Sequence, residues 1–394
     1  MPGSVIVSSA RTPIGKLSGS LASLPATDLG GHAIRAALAR AGITGDQVDY
    51  VLLGQVLQAG AGQMPARQAA VKGGVPMSVP SMTVNKVCLS GIDAIYLADQ
   101  MIQAGDADVV VAGGMESMTR APYLLPNARE GYRMDHGQLV DSMIGDGLFC
   151  AFDAVHMGTG TERYAGDFGG ITRELQDELA AQSHERAAAA IKDGRMAEEI
   201  EPIEIPQRRG DPVLVDTDEG VRPGTTVEAL AKLRPAFAPD GTITAGNASQ
   251  ISDGAAAVVV TSAENAERLG LAPLAELVSF GMVAGPDTSL LTQPSRAIVR
   301  ALDKIGKKVD DLDLVEINEA FAAVVLSSMR DLGIGDEIVN VNGGAIALGH
   351  PIGASGTRVV LTLVDELRRR GGGLGAASLC GGGGQGEATI VRAL

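Results

Sequence analysis

Apolar residues along this chain switch repeatedly between the period of a strand and that of a helix. Residues 4–8 read as a first strand, and Ser9-Ala10-Arg11-Thr12-Pro13-Ile14-Gly15 as the loop leaving it. A helix is predicted from about Ala26 to Ala41, stopped by Gly42, followed by a strand at Tyr50-Val51-Leu52-Leu53. Thr83-Val84-Asn85-Lys86-Val87-Cys88-Leu89-Ser90-Gly91-Ile92 then turns from a short β-favouring run into a helix. Its apolar positions Ile92, Ile95, Met101 and Ile102 keep helical spacing up to Ala104-Gly105, and Asp108-Val109-Val110-Val111-Ala112 reads as a buried strand. This alternation predicts an α/β layer fold with a mostly parallel sheet.

The pattern returns near the C-terminus. Laying residues 33–51 on 297–315 matches Ala33, Ile34, Ala37, Leu38, Gly42, Asp46, Asp49 and Val51 with identical residues, eight of nineteen positions. Average usage would give roughly one or two. Ser90-Gly91 recurs as Ser355-Gly356, each pair opening a helix that ends in glycine and leads to a strand. The chain therefore reads as a duplicated α/β unit, although two Ala-rich helices can also resemble each other by composition. Duplication would place His350 just before the counterpart of the helix that Cys88 begins. It would place Cys380 just after the strand that follows, so that a site at the seam of the halves brings both toward Cys88.

Residues from about 120 to 250 break the rhythm. Ala121 to Asn127 and Gly131 to Met134 read as irregular loop, a charged amphipathic helix runs from about Arg173 to Asp193, and Pro/Gly-rich connections span Pro202 to Pro239. An insertion of this length is usually a lid, a binding element or an oligomer contact. Regular structure resumes at the strand Ala255 to Val260.

Composition narrows the function. At 394 residues the chain is long enough for two or more domains, and 45% hydrophobic residues make it globular. A formal charge of −15 argues against a nucleic-acid binder. An anionic substrate would have to be held by backbone N–H groups and a few placed Arg or Lys side chains. The three cysteines, Cys88, Cys150 and Cys380, are far apart and suggest neither a disulfide framework nor a metal site, which fits a reducing compartment. With no basic-then-apolar leader and no run approaching a membrane span, a cytoplasmic protein off the membrane is expected.

Three motifs carry chemistry. Cys88 sits near a helix N-terminus, where unpaired N–H groups and the helix dipole favour the thiolate; alone, such a cysteine is more often a buried structural one. Asn342-Gly343-Gly344-Ala345-Ile346-Ala347-Leu348-Gly349-His350-Pro351-Ile352-Gly353-Ala354-Ser355-Gly356 frames a histidine with five glycines, which let the backbone approach a ligand, and His350 there can draw the proton from a thiol. Leu379-Cys380-Gly381-Gly382-Gly383-Gly384-Gln385-Gly386 sets a second cysteine at the C-terminal end of a strand before glycines able to form an oxyanion-binding nest or a plain hinge. Asn318, in Glu316-Ile317-Asn318-Glu319-Ala320-Phe321, could hold a water against a developing oxyanion; its alternative is strand-end or N-cap work for the next helix.

On these residues, with Gly113-Gly114-Met115-Glu116-Ser117-Met118 and His156-Met157-Gly158, the chain resembles the thiolase family over essentially its whole length. The resemblance implies an α/β thiolase fold of two duplicated halves in a layered αβαβα core. Residues 1–119 and 251–271 would form the N-terminal half, 120–250 an inserted loop domain for coenzyme A and oligomer contacts, and 272–394 the C-terminal half. It implies reversible Claisen condensation of two acetyl-CoA to acetoacetyl-CoA and CoA by a ping-pong route. In that route Cys88, activated by His350, takes the acyl group and Cys380 takes a proton from the α-carbon of acetyl-CoA. One oxyanion would be held by His350 and a water on Asn318, the other by the backbone N–H groups of Cys88 and Gly382.

By the same resemblance His156 and Met157 would flank the pantetheine and acyl end, Ser249 and Ala245 would meet the pantetheine, Arg222 would lie near the nucleotide, and Leu148, Phe237 and Phe321 would be apolar walls. Coenzyme A thioesters serve as substrates, no other cofactor or metal is implied, and the protein would be a homo-oligomer, dimer or tetramer. Leu89, Ile92-Asp93 and Gly381 depart from the usual pattern, as does the stretch from Pro122 to His136. A degradative thiolase of broader chain length is the rival within the enzyme class, and a non-catalytic acyl-CoA-binding thiolase-like protein the rival outside it. A decarboxylating ketoacyl synthase is disfavoured, because such enzymes pair one cysteine with two histidines.

Overall fold

The computed structural model describes residues 3–394. Its first half contains β1 (Ser4–Arg11), α1 (Ala26–Ala41), β2 (Tyr50–Gly54), α2 (Pro65–Lys72), β3 (Ser81–Val84), α3 (Ser90–Ala104), β4 (Val109–Ser117) and, after the insertion, β5 (Ser252–Ser262). The second half contains β6 (Ala275–Ala284), α4 (Gln293–Asp303), β7 (Leu314–Ile317), α5 (Ala322–Leu332), α6 (Ser355–Arg369), β8 (Gly373–Gly381) and β9 (Gln385–Ala393). Gly42 ends α1 in the left-handed conformation at φ 73°, as its position after the last apolar residue predicts.

The duplication is visible in the sheet. Hydrogen bonding orders the strands β7-β8-β9-β6-β1-β5-β4-β2-β3, so that β1-β5-β4-β2 and β6-β9-β8-β7 repeat one another outward from the middle. The halves join where Val5 and Ile6 of β1 meet Glu276 and Ala275 of β6. The expected mostly parallel sheet is wrong: among the described residues only the strand pairs β2–β3, β2–β4 and β7–β8 of this sheet run parallel. In each half the last strand slots antiparallel between the first strand and the strand that follows the central helix. A sequence order of strands does not reveal that late entry.

Strand alternation sorts side chains into layers. Val5, Val7, Val51, Leu53, Val109 and Val111 pack with Leu29, Ala33 and Ala37 of α1 and Ala69 of α2. Their neighbours Ile6, Leu52, Val110 and Ala112 turn to the opposite side, where Ile92 and Ile95 of α3 meet Val360 and Val364 of α6. The second half shares that central layer through Leu379 and Val391, and its other face packs Ile317 and Ile390 on Ile298 of α4 and Val325 of α5. Truncating a fully buried side chain such as Ile95 to alanine is expected to cost about 2–5 kcal/mol.

Two features of this frame set up the site. The N-termini of α3 and α6 meet at glycines: a Cβ on Gly91 would lie 2.8 Å from the backbone nitrogen of Thr357, and one on Gly356 would overlap that of Ile92. The repeated Ser-Gly pair thus lets two positive helix ends converge at the seam. Second, β1 continues through Ser9, Ala10 and Arg11, which pair with Val258, Ala257 and Ala256, where loop was expected. Arg11 is buried because Glu199 and Asp218 of the insertion bind its guanidinium at 2.8 and 2.7 Å.

Between β4 and β5 the chain forms three short two-stranded ribbons, helices Met157–Phe168 and Arg173–Lys192, and a π-helical turn at Met143–Leu148. Tyr123-Leu124, expected as loop, pairs with Val140-Asp141 in one of the ribbons. Among the described residues no helix is long and apolar enough to cross a membrane.

Candidate active site

The turn from β3 into α3 is tightly bonded. Asn85 Oδ1 accepts the Val87 N–H at 3.1 Å, Ser90 Oγ accepts that of Lys86 at 2.8 Å, and the Ser90 hydroxyl donates to the Val87 carbonyl at 2.6 Å. Cys88 follows Val87, whose φ of 53° is unusual for a β-branched residue. The thiol keeps partial exposure at the mouth of the seam.

Its electrostatics differ from the sequence expectation. Burial among protein atoms pushes the Cys88 thiol up to about 12, outweighing its own backbone N–H, and the nearby Glu116 carboxyl adds to the rise. The helix N-terminus therefore does not make a resting thiolate; a base must take the proton. That base stands at 3.3 Å, His350 Nε2.

His350 is buried in the turn before α6. Gly349 adopts φ 114°, and a Cβ there would run into Ser252 Oγ, the same hydroxyl that accepts the His350 backbone N–H at 3.2 Å. On the other side of the ring, Nδ1 lies 2.6 Å from Ser355 Oγ, whose own proton goes to the Pro351 carbonyl at 3.0 Å. Ser355 must then accept from Nδ1–H, which leaves the Nε2 lone pair facing Cys88. Burial and the positive charge of Arg358 draw His350 down to about 3, so thiol and imidazole rest as a neutral pair.

Asn318 is fully buried just past β7, its backbone N–H bonded to the Ser378 carbonyl at 3.0 Å. Its Nδ2 reaches His350 Nε2 at 3.4 Å, and its buried Oδ1 is left without a partner among the described residues. The N-cap alternative fails because α5 begins at Ala322 with Phe321 as its cap.

Cys380 lies within β8, paired with Gly386 of β9, rather than after the strand. It is buried beside Leu290, Leu291, Ala320 and Ala323 with Met157 and Phe321 at the edge. Burial raises its thiol, and the charge of a Cys88 thiolate would raise it further, so the two sulfurs are electrostatic neighbours. Packing agrees: a Cβ on Gly381 would lie 2.6 Å from Leu89 Cγ, and one on Gly382 would lie 3.3 Å from the Val87 side chain. The hairpin turn past Gly382 uses Gly383 and Gly384 at φ 77° and 66°.

The remaining expected residues divide. Leu148 and Cys88 share an apolar wall with Val56, Leu57, Met118, Met143 and Ile352. Phe237 meets Phe321 edge to face at 6.0 Å and fills the space over Gly158. Ser249 bonds the Ala320 carbonyl through its N–H at 3.1 Å. His156 is exposed, edge-on to Phe149 at 5.7 Å, and starts the helix that carries Met157. Ala245 and Arg222 are exposed on the insertion, Arg222 with its backbone N–H on His184 Nδ1 at 3.1 Å.

Two supporting residues were missed. Ser355 was noticed only as part of a repeat, yet it sets the imidazole tautomer. Glu116, inside the Gly113–Met118 motif, accepts N–H groups of Val56, Leu57 and Gly353 at 3.0, 3.2 and 3.0 Å, tying the Cys88 wall to the His350 turn.

Comparison with known proteins points one way. The thiolase N-terminal domain matches residues 4–264 and the thiolase C-terminal domain residues 271–393. A probable acetyl-CoA acetyltransferase of Mycobacterium tuberculosis is 59% identical over 393 residues, covering 100% of both chains. An acetyl-CoA acetyltransferase of Pseudomonas aeruginosa is 56% identical, covering 98% of this chain and 99% of that one. The crystal structure of the Bacillus anthracis acetyl-CoA acetyltransferase superposes with a TM-score of 0.97 at 41% identity, covering 100% of this chain and 99% of that one.

Proposed function

The chain belongs to the thiolase family, and from that premise we propose that it is an acetyl-CoA C-acetyltransferase, joining two acetyl-CoA into acetoacetyl-CoA and CoA, or running that reaction in reverse. The observation that carries the reading is one sulfur 3.3 Å from an imidazole nitrogen, with the two glycines that follow a second cysteine packed against the residues on either side of that sulfur.

The assigned roles follow from the protonation states. As Cys88 attacks the thioester carbonyl, its proton passes to His350 Nε2, which holds it weakly and returns it to the departing CoA sulfur. Backbone N–H groups of Cys88 and Gly382 would hold the oxyanion, each donor typically worth about 3 kcal/mol of barrier. In the second half-reaction Cys380 passes its thiol proton to His350 Nε2, and the resulting thiolate takes a proton from the α-carbon of the next acetyl-CoA. Its raised affinity for protons suits that task, since a thioester α-carbon is a weak acid. The carbanion attacks the carbonyl on Cys88, and the released Cys88 thiolate recovers the proton held on His350 Nε2, so the count closes and Cys380 ends as the thiol. His350 and a water on the free Oδ1 side of Asn318 would hold the enolate oxygen.

Coenzyme A is assigned to the insertion, residues 120–250, with Met157, Phe237, Phe321 and Ser249 nearest the sulfurs and His156, Ala245 and Arg222 further along its surface. His156, Met157 and Gly158 would favour acetyl or acetoacetyl groups over long chains, with Leu148 an apolar wall. We further assign the protein to the cytoplasm as a homo-oligomer, with no cofactor beyond the CoA thioesters. Steady-state kinetics in both directions test the reading: cleavage should be fastest with acetoacetyl-CoA and fall with chain length. A rate that rises with length would favour the degradative alternative, and stoichiometric acetylation without product the non-catalytic one.

A further inference from the structure

The strain stored beside the nucleophile has to be held by something, since a β-branched residue in the left-handed region persists only when its surroundings over-determine it. Val87, at φ 53°, is that residue. The bonds from Asn85 and Ser90 pin the turn to its own half. Lys86 pins it to the other half. Its ammonium lies 2.7 Å from Asp93 on α3 and 2.8 Å from Glu387 on β9, with Met282 Sδ at 3.7 Å. Glu387 is fully buried and, among the described residues, its Oε1 has no partner and Lys86 supplies the only cation bonded to it.

Glu387 pairs with Leu379 across the β8–β9 hairpin, one residue before Cys380. The ion pair therefore crosses the same seam as the contacts of Val87 with Gly382 and Leu89 with Gly381. The Cys88–His350 contact has a separate anchor in the packing of α3 on α6 at Gly91 and Gly356. Nothing else charged joins the Cys88 turn to the hairpin among the described residues.

We propose that Lys86 is a positioning residue, a latch from the Cys88 turn to Glu387 that sets the spacing between the nucleophile and the Cys380–Gly382 hairpin. The proposal rests on the thiolase reading. With the latch removed, the turn relaxes from its strained conformation and the hairpin's thiol and N–H groups lose register with the acyl group on Cys88. The CoA body, assigned to the insertion, still binds.

The experiment compares Lys86→Met, Lys86→Arg and the double variant Lys86→Met/Glu387→Gln by acetoacetyl-CoA formation from acetyl-CoA and by melting temperature. Intact-mass detection of acetyl on Cys88 in the unmodified protein comes first; its absence would overturn the thiolase reading, and the latch with it. Given an acetyl-enzyme, the latch predicts a kcat at least 20-fold lower in Lys86→Met with KM within twofold, and recovery to within fivefold in Lys86→Arg. In the double variant, which leaves no unpaired buried carboxylate, melting temperature should return while kcat stays low. A double variant that regains full kcat together with its melting temperature would overturn the proposal, because Lys86 would then serve only to neutralise Glu387. A KM that rises in step with the loss of kcat would overturn it as well.

Discussion

Replacing Ser355 by alanine tests how the base is set. The hydroxyl accepts from His350 Nδ1 at 2.6 Å inside the protein, so its loss leaves a buried N–H without a partner. Such a loss costs about 1–3 kcal/mol. The cost falls on the transition state, because the ring gains a proton there and the bond to Ser355 becomes charge-assisted. At a factor of ten per 1.4 kcal/mol, acetylation of Cys88 should slow by about five- to 150-fold. Single-turnover formation of acetyl-enzyme at saturating acetyl-CoA, followed by mass, gives the rate. A melting curve on the same sample accounts for the second bond lost, from Ser355 to the Pro351 carbonyl at 3.0 Å. Acetylation within twofold of the unmodified rate, in a folded variant, would refute the tautomer argument.

The raised Cys88 thiol predicts the pH dependence of its reactivity in the free protein. The thiolate is the reactive form and its pKa lies at about 12, so alkylation of Cys88 by iodoacetamide should climb about tenfold per pH unit from pH 6 to 10 without levelling; a plateau near neutrality would contradict the neutral pair. Gly349→Ala should lower stability by about 1–3 kcal/mol in chemical denaturation and slow acetylation, since φ is 114° and the methyl would displace Ser252 from the His350 N–H; unchanged stability and rate would show that the turn tolerates a side chain.

Much of the frame was legible in the sequence because apolar spacing reports it directly. The helix Ala26–Ala41 with its Gly42 stop, and the repeat that makes α3 and α6 counterparts, both stand where the pattern put them. What the pattern cannot show is which residue meets which across long distances. Arg11 falls in the stretch 9–15 read as loop, because the partners that let an arginine be buried there, Glu199 and Asp218, lie 188 and 207 positions away. The same limit explains Cys88. Its place before a helix is local information and argues for a thiolate, whereas the outcome is reversed by burial where Val56, Leu57, Met118 and Ile352 wall the turn and the Cys380 hairpin packs on Val87 and Leu89, with the Glu116 carboxyl adding to it. Ser355 and Glu116 are hidden for a related reason, since a helix-opening serine and a glutamate in a glycine-rich run are ordinary until their partners His350, Val56, Leu57 and Gly353 are placed.

The proposed activity rests on a division of labour between two sulfurs, and separate Cys88→Ala and Cys380→Ala variants test it most directly. Each would be assayed for covalent acetyl by mass and for exchange of the acetyl-CoA α-protons with deuterated water. The expected result is that Cys88→Ala carries no acetyl group, while Cys380→Ala becomes acetylated but neither condenses nor exchanges the α-proton. Acetyl-enzyme in the Cys88 variant, or acetoacetyl-CoA formed at an undiminished rate without Cys380, would contradict it.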